Sequence, residues 1–319
     1  MEQEDQQRAP ENWYVLVCGL PLGADRLDFG SSLEIRRLVS PLSVFDLASA
    51  GAVGFREWAI LEPLAASATA EIVSPTDAAA APGYDALNKC WLVSALLLLR
   101  GYARHLCPAV SAYSWNFIAG HQRQTSESFR QQLAEEGAEK AVYTPHGSLP
   151  PFRGGLLDYH LRLYTPRDVR TSFLSTEDAL WVSERFEKFN RLAAEDERFR
   201  FGLESAVDWR YAKDRRDAIA RLWAGIESLF GISSELIHRV SLFAATVLVP
   251  RGEGRVTEFK RLKKLYGMRS KAVHGEPVKD EELVDALQQS YELLRSLLLD
   301  AISRGTVRGE DDYLEELLG

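Results

Sequence analysis

A basic and aromatic segment near the C-terminus reads Lys263-Lys-Leu-Tyr-Gly-Met-Arg-Ser-Lys-Ala-Val-His-Gly275. Within it Arg269 precedes His274 by five positions. Arginine keeps its positive charge at every relevant pH and presents a planar fork of donors to phosphate oxygens, whereas histidine can accept or release a proton near neutrality. The pair therefore suits acid–base chemistry on a phosphodiester. Arginine and histidine are also common at helix ends, where they only cap or solvate the last turn.

The spacing of this pair constrains its geometry. Five positions along an ideal helix rotate a side chain by roughly 140°, so Arg269 and His274 cannot share one face of an unbroken helix. Gly275 and Pro277 are typical of a helix end, which favours unwinding before His274. A dimer in which the two side chains meet across the interface would satisfy the same constraint, and both explanations can hold together.

Basic residues cluster around the pair in a chain whose net charge is −8. Only Glu258 interrupts the upstream cluster. A basic stripe against an acidic background is expected of a phosphate-binding surface, although a solvated helix face gives the same pattern. The predicted RNA-binding residues are Arg255, Lys260, Arg261, Lys263, Lys264 and Lys271.

The segment resembles the Arg-x4-His motif of HEPN domains, and its pattern Leu-Tyr, Arg-Ser, Val-His-Gly is most similar to the Apea-like HEPN branch. A second stretch, Leu222 to Gly231 with the sequence LWAGIESLFG, resembles the first helix of the same branch. The resemblance covers 199–305 and implies an antiparallel four-helix bundle that forms a homodimer with the two motifs facing each other. It also implies a metal-independent endoribonuclease, a hydrolase without cofactor that serves as a toxin or in antiviral defence.

In this interpretation Arg269 and His274 are the catalytic residues. The 2′-hydroxyl of the RNA is the nucleophile, His274 acts as general base or acid, and Arg269 stabilises the charge that develops on the phosphorane. Supporting roles fall to Glu227, Tyr266 and Ser270. Glu227 could pair with Arg269 or His274, or form a structural salt bridge, and Tyr266 could contact the substrate or belong to the core.

A different class of function stays open from the same residues. The helices could form a non-catalytic dimerisation module that binds nucleotide, RNA or a protein partner, with Arg269 and His274 stabilising a helix end. The first half of the chain shows no glycine-rich phosphate loop, nucleophile elbow or paired-carboxylate motif. An independent enzyme site there has no sequence support, and a trigger ligand or protein is the expected partner of that half.

Length and composition support predictions about the number of domains, the cellular compartment and membrane association. The chain has 319 residues, 46% hydrophobic and 26% charged, which suits two domains of a globular protein. Cys18, Cys90 and Cys107 lack a paired spacing, which fits a reducing cytoplasm and predicts no metal site. The polar N-terminus is unlike a secretory signal. The most apolar run, Trp91 to Leu99, is about half the length needed to cross a bilayer, so no membrane partner is expected.

The predicted architecture is an α+β N-terminal domain followed by an all-α C-terminal bundle. The domains are 1–170 (α+β, a sensing or regulatory module), 171–198 (a connecting helix opened by Ser175 and Asp178), 199–305 (the bundle) and 306–319 (a tail with a short helix). In the first, hydrophobic patterns predict strands at Trp13–Leu20, Leu33–Leu38, Ala59–Leu61, Ala70–Val73 and Leu156–Tyr164, a short helix at Ser43–Ala50 and a long one at Tyr84–Leu106. The four bundle helices are predicted around Ile219–Phe230 and at Glu235–Val249, Val256–Val273 and Asp280–Arg304.

Overall fold

A computed structural model describes residues 12–43, 65–75, 84–111, 114–121, 142–143, 164–232 and 235–318. The chain divides into two compact units. The sheet unit comprises residues 1–159 and 170–186, and the helical unit comprises residues 160–169 and 187–319. The N-terminal part thus carries an antiparallel sheet and the C-terminal part is helical, which agrees with the order of α+β and helical regions predicted from the sequence.

Six strands form one sheet within the described residues, in the order β2-β3-β4-β1-β5-β6 with antiparallel neighbours. They are β1 (Asn12–Cys18), β2 (Arg26–Gly30), β3 (Leu33–Arg37), β4 (Ala68–Pro75), β5 (Val110–Ser111) and β6 (Val142–Tyr143). The strands predicted near Trp13, Leu33 and Ala70 are confirmed as β1, β3 and β4. Strand β2 was not predicted, and it joins β3 through Ser31 and Ser32. Both serines have positive φ, the conformation that tight hairpin turns require.

Helix α1 (Tyr84–Arg100) contacts β1 and β4 of this sheet. Its residues from Cys90 to Leu99 are buried around most of the circumference apart from Ser94, as the apolar run predicts. The predicted extension to Leu106 is wrong. Gly101 (φ +114°) ends the helix, and the amide of Tyr102 donates to the carbonyl of Leu97. The chain then runs back to the sheet, where Leu106 exchanges two backbone hydrogen bonds with Cys18.

A short helix, α2 (Trp115–His121), was also not predicted. The fully buried carboxylate of Glu71 in β4 accepts the amide of Trp115 at 2.6 Å and the hydroxyl of Ser114 at 2.9 Å. Burial raises the pKa of Glu71, against the lowering effect of these bonds. Glu71 therefore anchors the start of α2 to the sheet. Three predicted elements lie outside the described residues. They are the strand Ala59–Leu61, the strand Leu156–Tyr164 except for Tyr164, and the helix Ser43–Ala50 except for Ser43.

Helix α3 (Thr176–Glu195) begins with the predicted reciprocal cap. The hydroxyl of Ser175 accepts the amide of Asp178 at 3.2 Å, and the carboxylate of Asp178 accepts the amide of Ser175 at 3.3 Å. The boundary between the two units falls within α3, between residues 186 and 187. Asp196 then caps α4 (Glu197–Asp208), which a single 3-10 turn (Trp209–Tyr211) follows.

The helical unit is built mainly from four further helices that contact one another. These are α5 (Arg215–Phe230), α6 (Leu236–Leu248), α7 (Glu253–Val273) and α8 (Asp280–Arg304). The predicted bounds of α8 are confirmed at both ends, and the predicted stop of α5 at Gly231 is confirmed by its positive φ of 65°. α7 begins three residues earlier than predicted. A last helix, α9 (Glu310–Leu318), contacts α6.

Aromatic side chains fill the centre of the helical unit. Trp209, Trp223 and Tyr291 are almost completely buried. The indole nitrogen of Trp223 donates to the hydroxyl of Ser290 at 2.9 Å, which ties α5 to α8. A buried indole N–H without such a partner would be destabilising, so this bond fixes the rotamer of Trp223 beneath α7.

No helix in the described parts of the chain is both long and apolar enough to cross a bilayer. The same residues contain no group of three or more histidine, cysteine, aspartate or glutamate side chains that could hold a metal ion.

Candidate active site

Arg269 lies on the side of α7 that faces α5. Its Nη2 atom contacts both carboxylate oxygens of Glu227, at 3.1 Å and 3.3 Å. About a quarter of the Arg269 side chain and a fifth of the Glu227 side chain are exposed. Ion pairs with limited exposure are screened less than surface pairs, so this contact holds the guanidinium in one place.

Tyr266 completes this cluster one helical turn earlier. Its hydroxyl donates to Glu227 Oε1 at 3.1 Å, and its ring centroid lies 5.4 Å from the guanidinium carbon of Arg269. The ring also meets that of Trp223 edge to face at 5.0 Å. Burial raises the pKa of Tyr266, and the charge of Glu227 raises it further. The hydroxyl therefore stays protonated as a donor, and its 8% exposure places Tyr266 in the core.

The hydrogen bonding of Arg269 is incomplete. Both contacts to Glu227 run through Nη2, whereas Nε is buried and has no hydrogen-bond partner among the described residues. A buried donor without a partner costs roughly 1–3 kcal/mol. The resting position of Arg269 is therefore less favourable than one in which an additional acceptor reaches the guanidinium.

His274 is the C-cap residue of α7. Gly275 follows with φ +71°, and the amides of Gly275 and Glu276 donate to the carbonyls of Ala272 and Lys271 at 3.4 Å and 3.0 Å. This is the Schellman arrangement, in which a glycine in the left-handed region closes the helix. His274 is exposed, and within the described part of the chain its imidazole has no hydrogen-bond or ion-pair partner. The turn thus presents the ring to solvent.

The structure does not bring Arg269 and His274 together within one chain. α7 continues to Val273, and the amide of His274 still donates to Ser270 at 3.0 Å. The helix therefore does not unwind early enough to turn His274 towards Arg269. Ser270 contributes its carbonyl to this last turn. The two catalytic candidates therefore lie on different sides of α7, about 140° apart around its axis.

The four lysines among the predicted RNA-binding residues are all exposed on α7, and they are Lys260, Lys263, Lys264 and Lys271. Their positions in the helix place Lys260, Lys264 and Lys271 within about 40° of one another around the axis. The ammonium of Lys263 lies 5.6 Å from the ring centroid of Phe259. We call these four residues the lysine face. It covers the outer side of α7 and reaches the helix end where His274 lies.

Arg255 and Arg261 do not belong to the lysine face. Arg255 is buried, and its guanidinium donates to the carbonyl of Val249 at 2.9 Å and to Glu316 at 3.0 Å. Arg261 forms two bonds with Glu258, at 2.6 Å and 2.9 Å, and these bonds raise its pKa. Arg261 lies beside an open cleft of about 420 Å³. Both arginines are committed to partners of the same chain, so the prediction that they bind RNA has no support from their placement.

Arg216 also contributes to this region, although it was not predicted as a site residue. It lies in the first turn of α5, where its guanidinium donates to the carbonyls of Lys271 and Ala272 at 3.2 Å and 3.1 Å and to that of Glu276 at 2.8 Å. The signal was present in the sequence, because a cation in the first turn of a helix opposes the helix dipole. Such a residue indicates a partner elsewhere.

The arrangement offers a fixed guanidinium, an exposed imidazole at a helix end and a face of lysines beside it. Such groups can neutralise phosphate charge and transfer a proton without a metal ion. The chain matches no protein-family model, no curated protein and no solved structure.

Proposed function

We propose that this chain is a metal-independent RNA endonuclease of the HEPN type, in which α5 to α8 form an antiparallel four-helix bundle that dimerises. The placement of the two candidate residues carries the proposal. Arg269 is held by Glu227 with about a quarter of its side chain exposed, whereas His274 is presented to solvent by the Gly275 turn. One chain keeps them apart, so the proposed dimer supplies the complete site.

The proposed reaction is attack of the RNA 2′-hydroxyl on the adjacent phosphorus. His274 removes the 2′-proton or protonates the departing 5′-oxygen, and Arg269 stabilises the negative charge of the phosphorane. The P–O5′ bond breaks as the P–O2′ bond forms. The products are a 2′,3′-cyclic phosphate and a free 5′-hydroxyl, and neither step requires a metal ion.

The lysine face supports this assignment because a polyanion needs a path to the site. Lys260, Lys264 and Lys271 have no acidic partner within ion-pair distance among the described residues. Neutralisation of backbone phosphates by such residues supplies most sequence-independent affinity. The sheet unit would then select the RNA or respond to a trigger in a cytoplasmic defence or toxin system.

The test is cleavage of a mixed pool of single-stranded and structured RNA in EDTA by the wild type, Arg269→Ala and His274→Ala. Matched controls are Arg304→Ala, which breaks an exposed pair with Asp300 on α8, and His238→Ala, which removes an exposed histidine of α6. We expect cyclic-phosphate ends from the wild type and both controls and a loss of at least about 100-fold in the two site variants. Equal cutting by all five proteins would exclude the pair from the chemistry.

A non-catalytic dimerisation or interaction module is the second candidate, and one observation favours it. Glu227 and Tyr266 already occupy one face of Arg269, as expected of a structural cluster between two helices. In this case the protein would be dimeric, would bind nucleotide, RNA or a protein partner, and would not cleave RNA. An unchanged function after His274→Ala would favour this candidate over the nuclease.

A further inference from the structure

Arg216 binds both sides of the turn that carries His274. Its Nη1 atom donates to the carbonyls of Lys271 and Ala272, which precede His274, and its Nη2 atom donates to the carbonyl of Glu276, which follows it. The distances are 3.2 Å, 3.1 Å and 2.8 Å. The planar fork of one guanidinium therefore joins the two ends of the segment 271–276.

The N-terminal cap of α5 holds the backbone of Arg216 in place. Asp214 is the N-cap, and its carboxylate accepts the amides of Arg216 at 2.8 Å and Asp217 at 3.0 Å. Because the first turn of α5 is capped in this way, the Cα of Arg216 has little freedom. Its guanidinium lies at the carboxyl end of α7, where a cation is favourable because it complements the helix dipole.

The remaining bonds of the turn are internal to it. The amide of His274 donates to Ser270, and those of Gly275 and Glu276 donate to Ala272 and Lys271. Bonds of this kind fray readily at helix ends. Within the described residues, Arg216 is the side chain that ties these carbonyls to a second helix. The imidazole of His274 is exposed and has no hydrogen-bond partner in the described part of the chain, so its position depends on the backbone that carries it.

We propose that Arg216 is a positioning residue for His274, which holds the 271–276 turn so that the imidazole of the proposed nuclease is presented at a fixed point. This inference rests on the proposed function for its catalytic consequence. A displacement of about 1 Å in a reacting group can cost about 100-fold in rate. Loss of the bonds from Arg216 should therefore lower kcat and leave KM for RNA nearly unchanged, since Lys260, Lys263 and Lys264 of the lysine face lie outside the 271–276 segment.

The neighbouring arginine provides a matched control. Arg215 occupies the same turn of α5 and carries the same charge, but it pairs with Asp280 at the start of α8. Arg215→Ala and Arg216→Ala thus remove equal charge from adjacent positions. Arg216→Lys keeps the charge without the fork, because an ammonium is a single point of donation.

The experiment measures kcat and KM for RNA cleavage in EDTA, well below the unfolding temperature, together with amide hydrogen exchange at Gly275 and Glu276. For Arg216→Ala we expect kcat to fall at least about tenfold, KM to stay within about twofold, and both amides to exchange at least about tenfold faster. Arg215→Ala should behave as the wild type, and Arg216→Lys should lie between.

Two results would overturn the inference while the nuclease stands. One is an unchanged kcat in Arg216→Ala, and the other is an equal fall in Arg215→Ala, which would assign the effect to charge. If the wild type does not cleave RNA, the proposed function fails and the catalytic part of this inference fails with it. Amide exchange in the same three variants would still decide whether Arg216 holds the turn, because exchange does not depend on activity.

Discussion

Glu227 is the residue on which the ordering of Arg269 depends, because its carboxylate accepts from both Arg269 and Tyr266. If Glu227 only orders Arg269, its charge matters for stability. If it also competes with RNA phosphate for the guanidinium, the same charge restrains binding. Substitution by glutamine separates these effects, because it keeps the size and the acceptor for Tyr266 but removes the charge.

We expect Glu227→Gln to lower the free energy of unfolding by about 1–2 kcal/mol, since a hydrogen bond to a charged group contributes about 1.5–3 kcal/mol. Chemical denaturation measures this change. The control is Glu292→Gln, which removes the charge from the more exposed pair with Arg295 on α8 and should cost about 0.5 kcal/mol or less. Equal losses in both variants would contradict a special role for Glu227.

Asp178 gives the sheet unit a defined acid sensitivity. Burial alone would raise the pKa of Asp178, but hydrogen bonds from Tyr102, Ser175 and Arg100 outweigh it and lower the pKa from 3.8 to about 2. Only 4% of its side chain is exposed. A group whose pKa is lower in the folded state stabilises the protein above its unfolded pKa, and this contribution is lost as pH falls through the folded pKa.

The stabilisation by ionised Asp178 should therefore disappear between pH 4 and pH 2. The expected size is about 2 kcal/mol, from a shift of nearly two pKa units. Denaturation of the wild type and Asp178→Asn across this range measures it, and the difference between them should shrink by that amount at low pH. A constant difference from pH 6 to pH 2 would show that the ionised form contributes nothing.

At the scale of elements, Gly267 within α7 and Gly275 just beyond its end differ in backbone conformation. Gly275 has φ +71°, whereas Gly267 lies within the helix, and a Cβ atom at either position would meet no atom within 4 Å. An alanine at either position would therefore make no steric clash, so the two substitutions differ only in backbone conformation. Alanine in the left-handed region costs about 1 kcal/mol or more, whereas glycine within a helix costs about 0.5–1 kcal/mol relative to alanine.

Gly275→Ala should therefore lower the free energy of unfolding by about 1 kcal/mol, and Gly267→Ala should raise it by about 0.5–1 kcal/mol. Denaturant titration of both variants against the wild type measures the two values. Opposite signs would confirm that the turn beneath His274 depends on the backbone freedom of glycine. A destabilisation of similar size at both positions would contradict it.

The helices of the second half could be predicted because local signals agreed there. In α5 and α8 the apolar period and the glycine at the helix end point to the same bounds, Gly231 for α5 and Gly305 for α8. α1 was predicted too long because the helix was expected to end just before Cys107 and Pro108, whereas Gly101 ends it. The short helix α2 had no clear period, since a long-range contact to Glu71 anchors it.

The candidate site was predictable only in part. Helix geometry alone would have separated Arg255 from the lysine face. Arg255 lies five positions before Lys260 and hence about 140° from it around the axis, which is the same angle that separates Arg269 from His274. The basic residues were grouped by their closeness in sequence, which ignores this angle and therefore included Arg255. Arg216 required knowledge of which helix end lies beside the start of α5, which no local pattern supplies.

At the scale of the whole molecule, charge is distributed unevenly in the helical unit. The acidic helix α9 forms ion pairs with three arginines of the same unit. Glu316 pairs with Arg255 and Arg308, and Glu310 pairs with Arg239. These ion pairs lie on the same chain and leave a net acidic protein of charge −8. The lysine face is therefore an exposed cationic surface on an acidic molecule, and binding of RNA there should weaken steeply with salt.

The proposed assembly of the site from two copies predicts the behaviour of mixed dimers. Arg269→Ala keeps His274, and His274→Ala keeps Arg269, so each variant alone lacks half of every site. In a mixed dimer, the arginine of one chain meets the histidine of the other at one of the two sites. Random exchange of subunits makes about half of the dimers mixed, so about a quarter of the wild-type sites should be restored.

Co-refolding the two inactive variants in equal amounts and measuring RNA cleavage in EDTA tests this arrangement. Recovery of about a quarter of the wild-type rate is expected after co-refolding, whereas the same proteins mixed without exchange should stay inactive. The double variant Arg269→Ala/His274→Ala, co-refolded with wild type, is the matched control. It leaves mixed dimers without a complete site, so activity should fall to about a quarter of that of wild type at equal total protein. No recovery from the co-refolded single variants, together with about half of the wild-type activity in the control, would place both residues of each site in one chain, provided that mass confirms the dimers. α7 would then have to unwind when RNA binds.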